Sequence, residues 1–184
     1  MSWNKWNKYF IEMIEYVASK SKDRSTKVGA IITDQDNIIV ATGFNGFPRG
    51  VDDDMSQRHE RPAKYSFTEH AERNAIYAAA RKGITLSGCK IYISWFPCCD
   101  CARGIIQSGI VEVYIDARDF LNKKTYWDER WYDQMVDSVD MLTEAEVGIY
   151  MWSDKHTKKV RDYRKLGDQI CHKGKDIGTI QKQT

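Results

Sequence analysis

The sequence lacks the features that mark a membrane protein or a secreted one. No apolar run in the 184 residues approaches the ~20 residues of a membrane-spanning helix, so we expect no membrane partner. Residues 1–10 are rich in Trp and Lys and lack the apolar core of a secretory signal. Three of the five cysteines fall within residues 98–101, which suits a metal site in a reducing compartment better than a disulfide framework. We therefore predict a cytoplasmic protein.

A large surplus of one charge is also missing. The formal net charge is only +2, which is too small to indicate a nucleic-acid-binding protein by itself, and we expect no stable nucleic-acid partner. Neither an internal repeat nor a linker divides the chain. We predict one domain over residues 1–152, which includes an N-terminal helix, followed by a basic and partly helical tail over residues 153–184.

Hydrophobic periodicity predicts an α/β fold. A helical pattern over residues 3–19 precedes two short apolar runs, which we interpret as a β-hairpin. After a polar insertion over residues 51–67, helices and strands alternate, which is typical of a sheet covered by helices on both faces. We predict strands at residues 28–33, 38–42, 90–95, 111–115 and 147–151, and further helices at residues 71–82, 98–108 and 127–145.

Two short motifs carry metal-binding chemistry. The first is His-x-Glu, His70 and Glu72, and the second is Cys-x-x-Cys, Cys98 and Cys101. The two cysteines share one face at a helix entrance, where the macrodipole favours thiolates. His70 and Glu72 can converge only if His70 stands at the non-helical start of its helix and Glu72 lies in the first turn. Three ligands that leave one position for water are typical of a catalytic zinc site, and Glu72 is then free to transfer protons.

Other interpretations of the cysteines remain open. A lone Cys-x-x-Cys pair would fit a zinc knuckle or a redox centre equally well, and only the upstream His-x-Glu motif favours catalysis. A four-ligand site would need another nearby Cys or His, for which His59 is the one plausible candidate. Cys99 lies ~100° around the helix from Cys98, so we expect a small buried residue rather than a ligand.

Four segments together resemble a known family. They are VGAII (residues 28–32), GFNGFPRG (residues 43–50), HAERNAI (residues 70–76) and SWFPCCDC (residues 94–101). With them the chain resembles the zinc-dependent cytidine deaminase superfamily, and within it the deoxycytidylate (dCMP) deaminases. The resemblance implies a three-layer, cytidine-deaminase-like fold with a mixed five-stranded sheet. It also implies hydrolytic deamination of dCMP to dUMP and ammonia, which feeds thymidylate synthesis.

The resemblance also assigns roles to residues. Glu72 would deliver a proton from a zinc-activated water to ring nitrogen 3, and in a later step it would protonate the leaving ammonia. Relatives often hold a second, structural zinc with extra Cys and His near the insertion, but this insertion has no Cys, so we expect one Zn²⁺ per chain. The implied metal ligands are His70, Cys98 and Cys101, the N–H of Ala71 would face the base carbonyl, and Asn45 would hold the sugar.

The nucleotide phosphate needs cations or N–H donors. Arg24, Ser25 and Lys27 precede the first strand and Arg118 follows the fourth, and ligands of α/β folds gather near strand ends. The alternative is a solvated, charged turn. Trp95, close to Pro97 at the end of a strand, is the tryptophan that we expect to contact the base.

The glycine-rich loop suggests regulation. The resemblance implies activation by dCTP and inhibition by dTTP in a homo-hexamer, at a site around Gly43, Phe44, Asn45 and Gly46. Glycine-rich loops often offer backbone N–H groups to phosphate. The alternative is an unregulated enzyme whose loop is only a turn.

Two rival functions differ in class. A polynucleotide cytidine or adenosine deaminase would need a strongly basic groove, which the low net charge does not favour. A non-catalytic zinc scaffold would not need the carboxylate of Glu72.

Overall fold

The structure is a computed structural model that describes residues 5–116, 118, 129–152 and 157–159. Its helices and strands follow the predicted order, and most boundaries lie within two residues of the predicted ones. They are α1 (Lys5–Ala18), β1 (Gly29–Thr33), β2 (Ile39–Phe44), a 3₁₀ turn (Ser56–His59), α2 (Lys64–Phe67), α3 (Ala71–Arg81), β3 (Lys90–Ile93), α4 (Cys99–Gln107), β4 (Glu112–Asp116), α5 (Glu129–Glu144), β5 (Gly148–Trp152) and β6 (Thr157–Lys159).

The strands form one mixed sheet in the order β2-β1-β3-β4-β5-β6. β1 is antiparallel to both β2 and β3, whereas β3, β4 and β5 run parallel. The predicted five-stranded mixed sheet is confirmed, and β6 adds a short antiparallel edge strand from the tail. The other residues of the tail, for which we predicted partly helical structure, lie outside the described residues.

Alternation along the strands places side chains on two opposite faces of the sheet. In β3, Ile91 and Ile93 pack with α3, α4 and α5, while Tyr92 between them packs against α1. The same period of two recurs in β1, β4 and β5, because successive side chains of a strand point to opposite faces. Helices therefore cover both faces of the sheet, as predicted. We call the side that carries α3, α4 and α5 the site face, and the side that carries α1 the aromatic face.

Small residues let α3 approach the sheet closely. Ala71, Ala75 and Ala79 along this helix are completely buried. A Cβ atom on Gly43 of β2 would lie 2.2 Å from the carbonyl oxygen of Ala71 and 2.4 Å from the nitrogen of Ala75. Only glycine fits there, so the sequence of β2 fixes how near the first turn of α3 comes to the sheet.

The polar insertion, for which we predicted no helix, contains the 3₁₀ turn and the single-turn helix α2. Lys64 of α2 forms an ion pair with Asp23, with 2.8 Å between Nζ and Oδ2. Further out, the rings of His59 and Phe47 stack with centroids 4.7 Å apart. Within the described residues, no helix has the length and hydrophobicity that a membrane crossing requires.

Candidate active site

The starts of α3 and α4 meet at one place on the site face. His70 is the residue before α3, with extended φ and ψ of −75° and 154°, and Glu72 lies in the first turn. Cys98 occupies the same position before α4, with φ and ψ of −73° and 173°. The predicted non-helical start at His70 is therefore confirmed, and it lets His70 and Glu72 line the same cavity.

His70, Cys98 and Cys101 bring three metal-ligating atoms together. The Nδ1 atom of His70 lies 3.5 Å from Sγ of Cys98 and 3.5 Å from Sγ of Cys101, and all three ligand atoms lie within 4.8 Å of one another. Zn–S bonds of about 2.3 Å and Zn–N bonds of about 2.0–2.1 Å at the tetrahedral angle would place nitrogen and sulfur about 3.6 Å apart. The residues thus fit a zinc ion.

His59, the candidate fourth ligand, lies elsewhere. Its Nε2 atom is 2.7 Å from the carbonyl oxygen of Asp53 in the insertion, and it is not part of the group formed by His70, Cys98 and Cys101. This group therefore offers three protein ligands, the number typical of a catalytic zinc site.

The protonation of these groups is coupled. A hydrogen bond from the Cys101 thiol, helped by His70, lowers the pKa of Cys98 to about 3, although burial opposes the shift. The same contact, together with burial, raises the pKa of Cys101. The hydrogen bond with Cys98 raises the pKa of His70. One thiolate therefore forms readily, and thiolate is the form of cysteine that binds metals.

Glu72 is a buried carboxyl group. Only 3% of the residue is exposed, and burial raises its pKa, while the charge of His70 acts in the opposite direction. A carboxyl group whose pKa moves toward neutral pH can both donate and accept protons under working conditions. This property makes Glu72 suitable for repeated proton transfer.

A cavity of about 310 Å³ opens beside these residues, a volume at the lower end of the range for small-molecule sites. The structure brings six of the residues singled out in the sequence into its wall. They are Asn45, His70, Ala71, Glu72, Trp95 and Cys98, and the other lining residues are Asp23, Thr26, Val28, Arg61, Lys64, Tyr65, Thr68, Phe96, Gln134 and Met135.

Four predicted phosphate ligands are not among the lining residues. Arg24 and Lys27 are exposed, and Nζ of Lys27 lies 3.5 Å from the carbonyl oxygen of Ser19. Ser25 accepts a hydrogen bond of 2.8 Å from Lys64, so it supports a lining residue. Arg118 lies on the aromatic face, which is the opposite side of the sheet.

Arg118 is held by carboxylates. Its Nη2 atom lies 2.6 Å from Asp116 and 2.5 Å from Glu15, and its guanidinium stacks over the ring of Trp152. Trp152 belongs to the cluster packed against α1. These contacts separate Arg118 from the cavity by the thickness of the sheet.

The lining cations are Arg61 and Lys64, which the sequence analysis missed. Both come from the polar insertion, where the periodicity gave no sign of a site. The usable signal was the concentration of cations and aromatic rings just before His70, namely Arg61, Lys64 and Tyr65. The sequence alone could not show that α2 folds back to the cavity.

Asp23 is the centre of a hydrogen-bonded group on this wall. It accepts bonds from the N–H groups of Ser25 and Thr26 at 2.8 and 3.0 Å, and from Nζ of Lys64 at 2.8 Å. Burial by itself would raise the pKa of Asp23, but these bonds overcome it and lower the pKa to about 2. The group joins the insertion to the segment before β1.

The glycine-rich loop fastens the start of α3. Gly46 and Glu69, the residue before His70, exchange backbone hydrogen bonds of 3.0 and 2.8 Å. The amide of Asn45 is also engaged, because Oδ1 accepts from the N–H of Val28 and Nδ2 donates to the carbonyl of Thr26, both at 2.8 Å. Asn45 therefore shapes the cavity wall through residues 26–28.

Cys99 is only partly buried, contrary to our expectation of a buried residue. Its Sγ atom donates to the carbonyl oxygen of Gln134 at 3.2 Å. The thiol therefore faces α5, away from the ligand group, as the helical spacing predicted.

Comparison with known proteins finds clear relatives. The family model of the cytidine and deoxycytidylate deaminase zinc-binding region matches residues 4–117. An uncharacterized deaminase from the luxG 3′ region of Aliivibrio fischeri is 46% identical over 148 residues, which span 79% of this chain and 92% of that protein. Deoxycytidylate deaminase of Mus musculus is 40% identical over 175 residues, which span 91% of each protein.

Solved structures share the fold. The dCMP deaminase of cyanophage S-TIM5, crystallised with dCMP and dUMP, superposes with a TM-score of 0.64 at 24% identity. The match covers 83% of this chain and all of that one. At this level of identity, the likeness supports the three-layer architecture and nothing finer.

Proposed function

The chain belongs to the cytidine and deoxycytidylate deaminase family, and we propose that it hydrolyses dCMP to dUMP and ammonia. The observation that carries the proposal is the buried carboxyl group of Glu72, in the same cavity as two of the three converging zinc ligands, His70 and Cys98. When bound, a zinc ion would lower the pKa of a water molecule toward neutral pH. The name of the mouse relative supports dCMP as the substrate.

In this proposal Glu72 performs the proton transfers. It accepts a proton from the water whose oxygen attacks ring carbon 4, and it delivers that proton to ring nitrogen 3. It then takes the second proton from the oxygen now bound to ring carbon 4 and gives it to the amino group, so that the carbon–nitrogen bond breaks, ammonia leaves and carbon 4 becomes a carbonyl. The buried position of Glu72 suits this cycle because desolvation keeps the protonated form accessible. We place the base with its carbonyl against the Ala71 N–H at the start of α3, and with Trp95 beside the ring.

We place the phosphate near Arg61 and Lys64. Lys64 is only 9% exposed, and in the described contacts its ammonium group donates to Asp23 and Ser25. A third N–H of the ammonium group can therefore reach a ligand. Arg61 lies at the exposed edge of the same wall. Arg118 is held by two carboxylates and takes no part in this proposal.

The test is ammonia release from protein of measured zinc content, with dCMP, dCTP, deoxycytidine and a single-stranded oligonucleotide side by side. We expect dCMP to have the highest kcat/KM, because remote binding energy helps to orient the reacting base. Equal rates with dCMP and deoxycytidine would show that a contact to the phosphate does not contribute to catalysis. Preference for the oligonucleotide would replace the proposed substrate with a polynucleotide.

A substitution locates the phosphate contact. Lys64→Met should lower kcat/KM for dCMP by about tenfold or more, the loss of a charge-assisted hydrogen bond, and leave the slow reaction of deoxycytidine unchanged. Lys8→Met, at an exposed lysine of α1, is the control and should behave like the parent. Equal losses with both substrates would make Lys64 a purely structural residue.

We also propose feedback through a hexamer, with dCTP as activator and dTTP as inhibitor. The loop around Gly43, Phe44, Asn45 and Gly46 supports it because Gly46 is bonded to the residue that precedes His70. The N–H groups of Asn45 and Gly46 are already paired with Val28 and Glu69. An effector would therefore act on the exposed side chain of Phe44 and shift the loop, rather than occupy those N–H groups.

Saturation curves test this regulation. Coupling of ~1–3 kcal/mol corresponds to roughly 5–150-fold in affinity. We expect a sigmoidal curve for dCMP alone, a hyperbolic curve with dCTP, and a shift to higher dCMP with dTTP. Superimposable curves from a protein that sediments as a monomer would leave the loop with a structural role only.

We also propose that the protein is cytoplasmic. The four cysteines in the described part of the chain form no disulfide, which supports a reducing, cytoplasmic location. We assign the deaminase domain to residues 1–152, and the dUMP it makes would supply thymidylate synthesis.

A further inference from the structure

The two helices that carry the metal ligands start at the same place, and this arrangement has an electrostatic cost. His70 precedes α3 and Cys98 precedes α4, so two positive ends of helix dipoles converge. Thiolates and a carboxylate offset that charge, but the relative position of the two helix starts still has to be fixed. A side chain that links one start to the other would hold the ligand set in shape before metal binds.

Arg73 forms such a link, and we propose that it is a positioning residue for the zinc site. On its own helix, Nε of Arg73 donates to Oε1 of Glu69 at 2.6 Å, and the same oxygen accepts from the backbone N–H of His70 at 3.0 Å. Across the helices, Nη1 lies 3.4 Å from Oδ2 of Asp100. Asp100 stands between Cys98 and Cys101 in the sequence.

The surroundings of Arg73 favour a defined position. Its side chain is only 19% exposed. Its stem crosses α4 at Gly104, where a Cβ atom would lie 3.8 Å from Cγ of Arg73. Glu69 is itself held by the backbone bridge to Gly46. One guanidinium therefore connects the glycine-rich loop, the N–H of His70 and the first turn of α4.

Asp100 has a second partner. Arg103 bonds to it from the same helix, but this contact does not reach α3. Because Asp100 is 61% exposed, its pairs contribute little to the free energy of folding. The expected role of Arg73 is therefore in ligand geometry, and removal of groups that orient metal ligands typically changes metal affinity 10–100-fold.

The proposal rests on the metal site of the proposed function and not on its substrate. Its test is the zinc affinity of the full chain, measured by competition with a chromogenic chelator, with thermal unfolding of the metal-free protein recorded in parallel. Arg73→Met should weaken zinc binding by about tenfold or more, with little change in metal-free unfolding. Arg73→Lys should recover part of the loss, because it keeps the charge without the forked geometry.

Arg103→Met is the matched control, since it removes the other partner of Asp100 and should leave zinc affinity within twofold of the parent. If Arg73→Met fails to fold, the exposed Asp100→Asn tests the same link, and it should also weaken zinc binding. Parent-like affinity in Arg73→Met, or an equal loss in Arg103→Met, would overturn the proposal. Absence of zinc binding by the parent chain would instead refute the proposed function.

Discussion

The two faces of the sheet differ in the size of the side chains that pack against them. The aromatic face is filled with large rings, and Tyr92, Tyr114 and Tyr150 of neighbouring strands stack with centroids 4.8 and 4.7 Å apart. The site face has completely buried alanines along α3 and a glycine in β2. Large rings fill space and stabilise the fold, whereas small residues allow close approach of backbone. Chemistry is therefore confined to the side where helix starts can come near one another.

The largest expected effect is a loss of turnover at the site face, with no loss of stability on the aromatic face. Glu72→Gln should lower kcat by about 10²–10⁴-fold, the usual contribution of a general acid–base group, and by more if the group acts in several steps. This loss corresponds to about 3–5 kcal/mol of activation free energy. Zinc content and thermal unfolding should match the parent. If the variant binds zinc and turns over at nearly the parent rate, Glu72 is not the group that transfers the protons.

The next largest effect is a loss of folding stability on the aromatic face, with no loss of turnover. Phe10 of α1 is completely buried, and its ring lies 4.9 Å from that of Tyr92. Phe10→Ala should lower the free energy of unfolding by about 3–5 kcal/mol, measured by denaturant titration, while kcat per folded molecule stays unchanged. Tyr16→Ala, at a residue that is 72% exposed on the same helix, is the control. A large fall in kcat with Phe10→Ala would show that the two faces are coupled.

A smaller effect is the pH dependence of the stability that Asp23 contributes on the site face. The pKa of Asp23 is lowered from its ordinary value of 3.8 to about 2, so its bonds stabilise the fold above about pH 4 and are lost as the pH falls toward 2. The stability difference between the parent and Asp23→Asn should shrink by roughly 1–2 kcal/mol over that window. Urea titrations at several pH values measure it. A difference that is constant with pH would mean that the Asp23 bonds do not depend on its charge.

The smallest effect concerns a cysteine that borders the metal ligands. Cys99→Ser should change the free energy of unfolding by no more than about 0.5 kcal/mol, because a hydroxyl can also donate to the carbonyl of Gln134. Zinc stoichiometry should be unchanged, whereas Cys101→Ser should lose the metal. Metal loss in the Cys99 variant, measured by elemental analysis, would contradict the assignment of ligands.

Local patterns were sufficient for much of the fold. Short apolar runs located all five main strands, because a strand that is covered on both faces is apolar along most of its length. Helix starts were also predictable, since the geometry of a His-x-Glu pair requires His70 to precede the first turn. The edge strand β6 was missed because three polar residues, Thr157–Lys159, carry no hydrophobic pattern.

The residues of the cavity wall could not be predicted from local sequence patterns alone. The predicted phosphate ligands were chosen by their closeness to strand ends, but strand ends face two sides, and the structure places Arg118 on the aromatic face. Lys64 reaches the cavity only because α2 folds back on the segment that holds Asp23. Such a contact between distant segments depends on chain reversal and burial, which no local spacing encodes.

The sequence by itself determined the types of ligand, their spacing on each helix and the family to which the chain belongs, because these depend on residue identity and helical periodicity alone. Only the tertiary structure decided that the starts of α3 and α4 meet, that Glu72 is buried with a raised pKa, and that Arg73 joins the two helices. The reason is physical: helix geometry is local, whereas desolvation and the approach of two helix ends arise only when separate segments pack together.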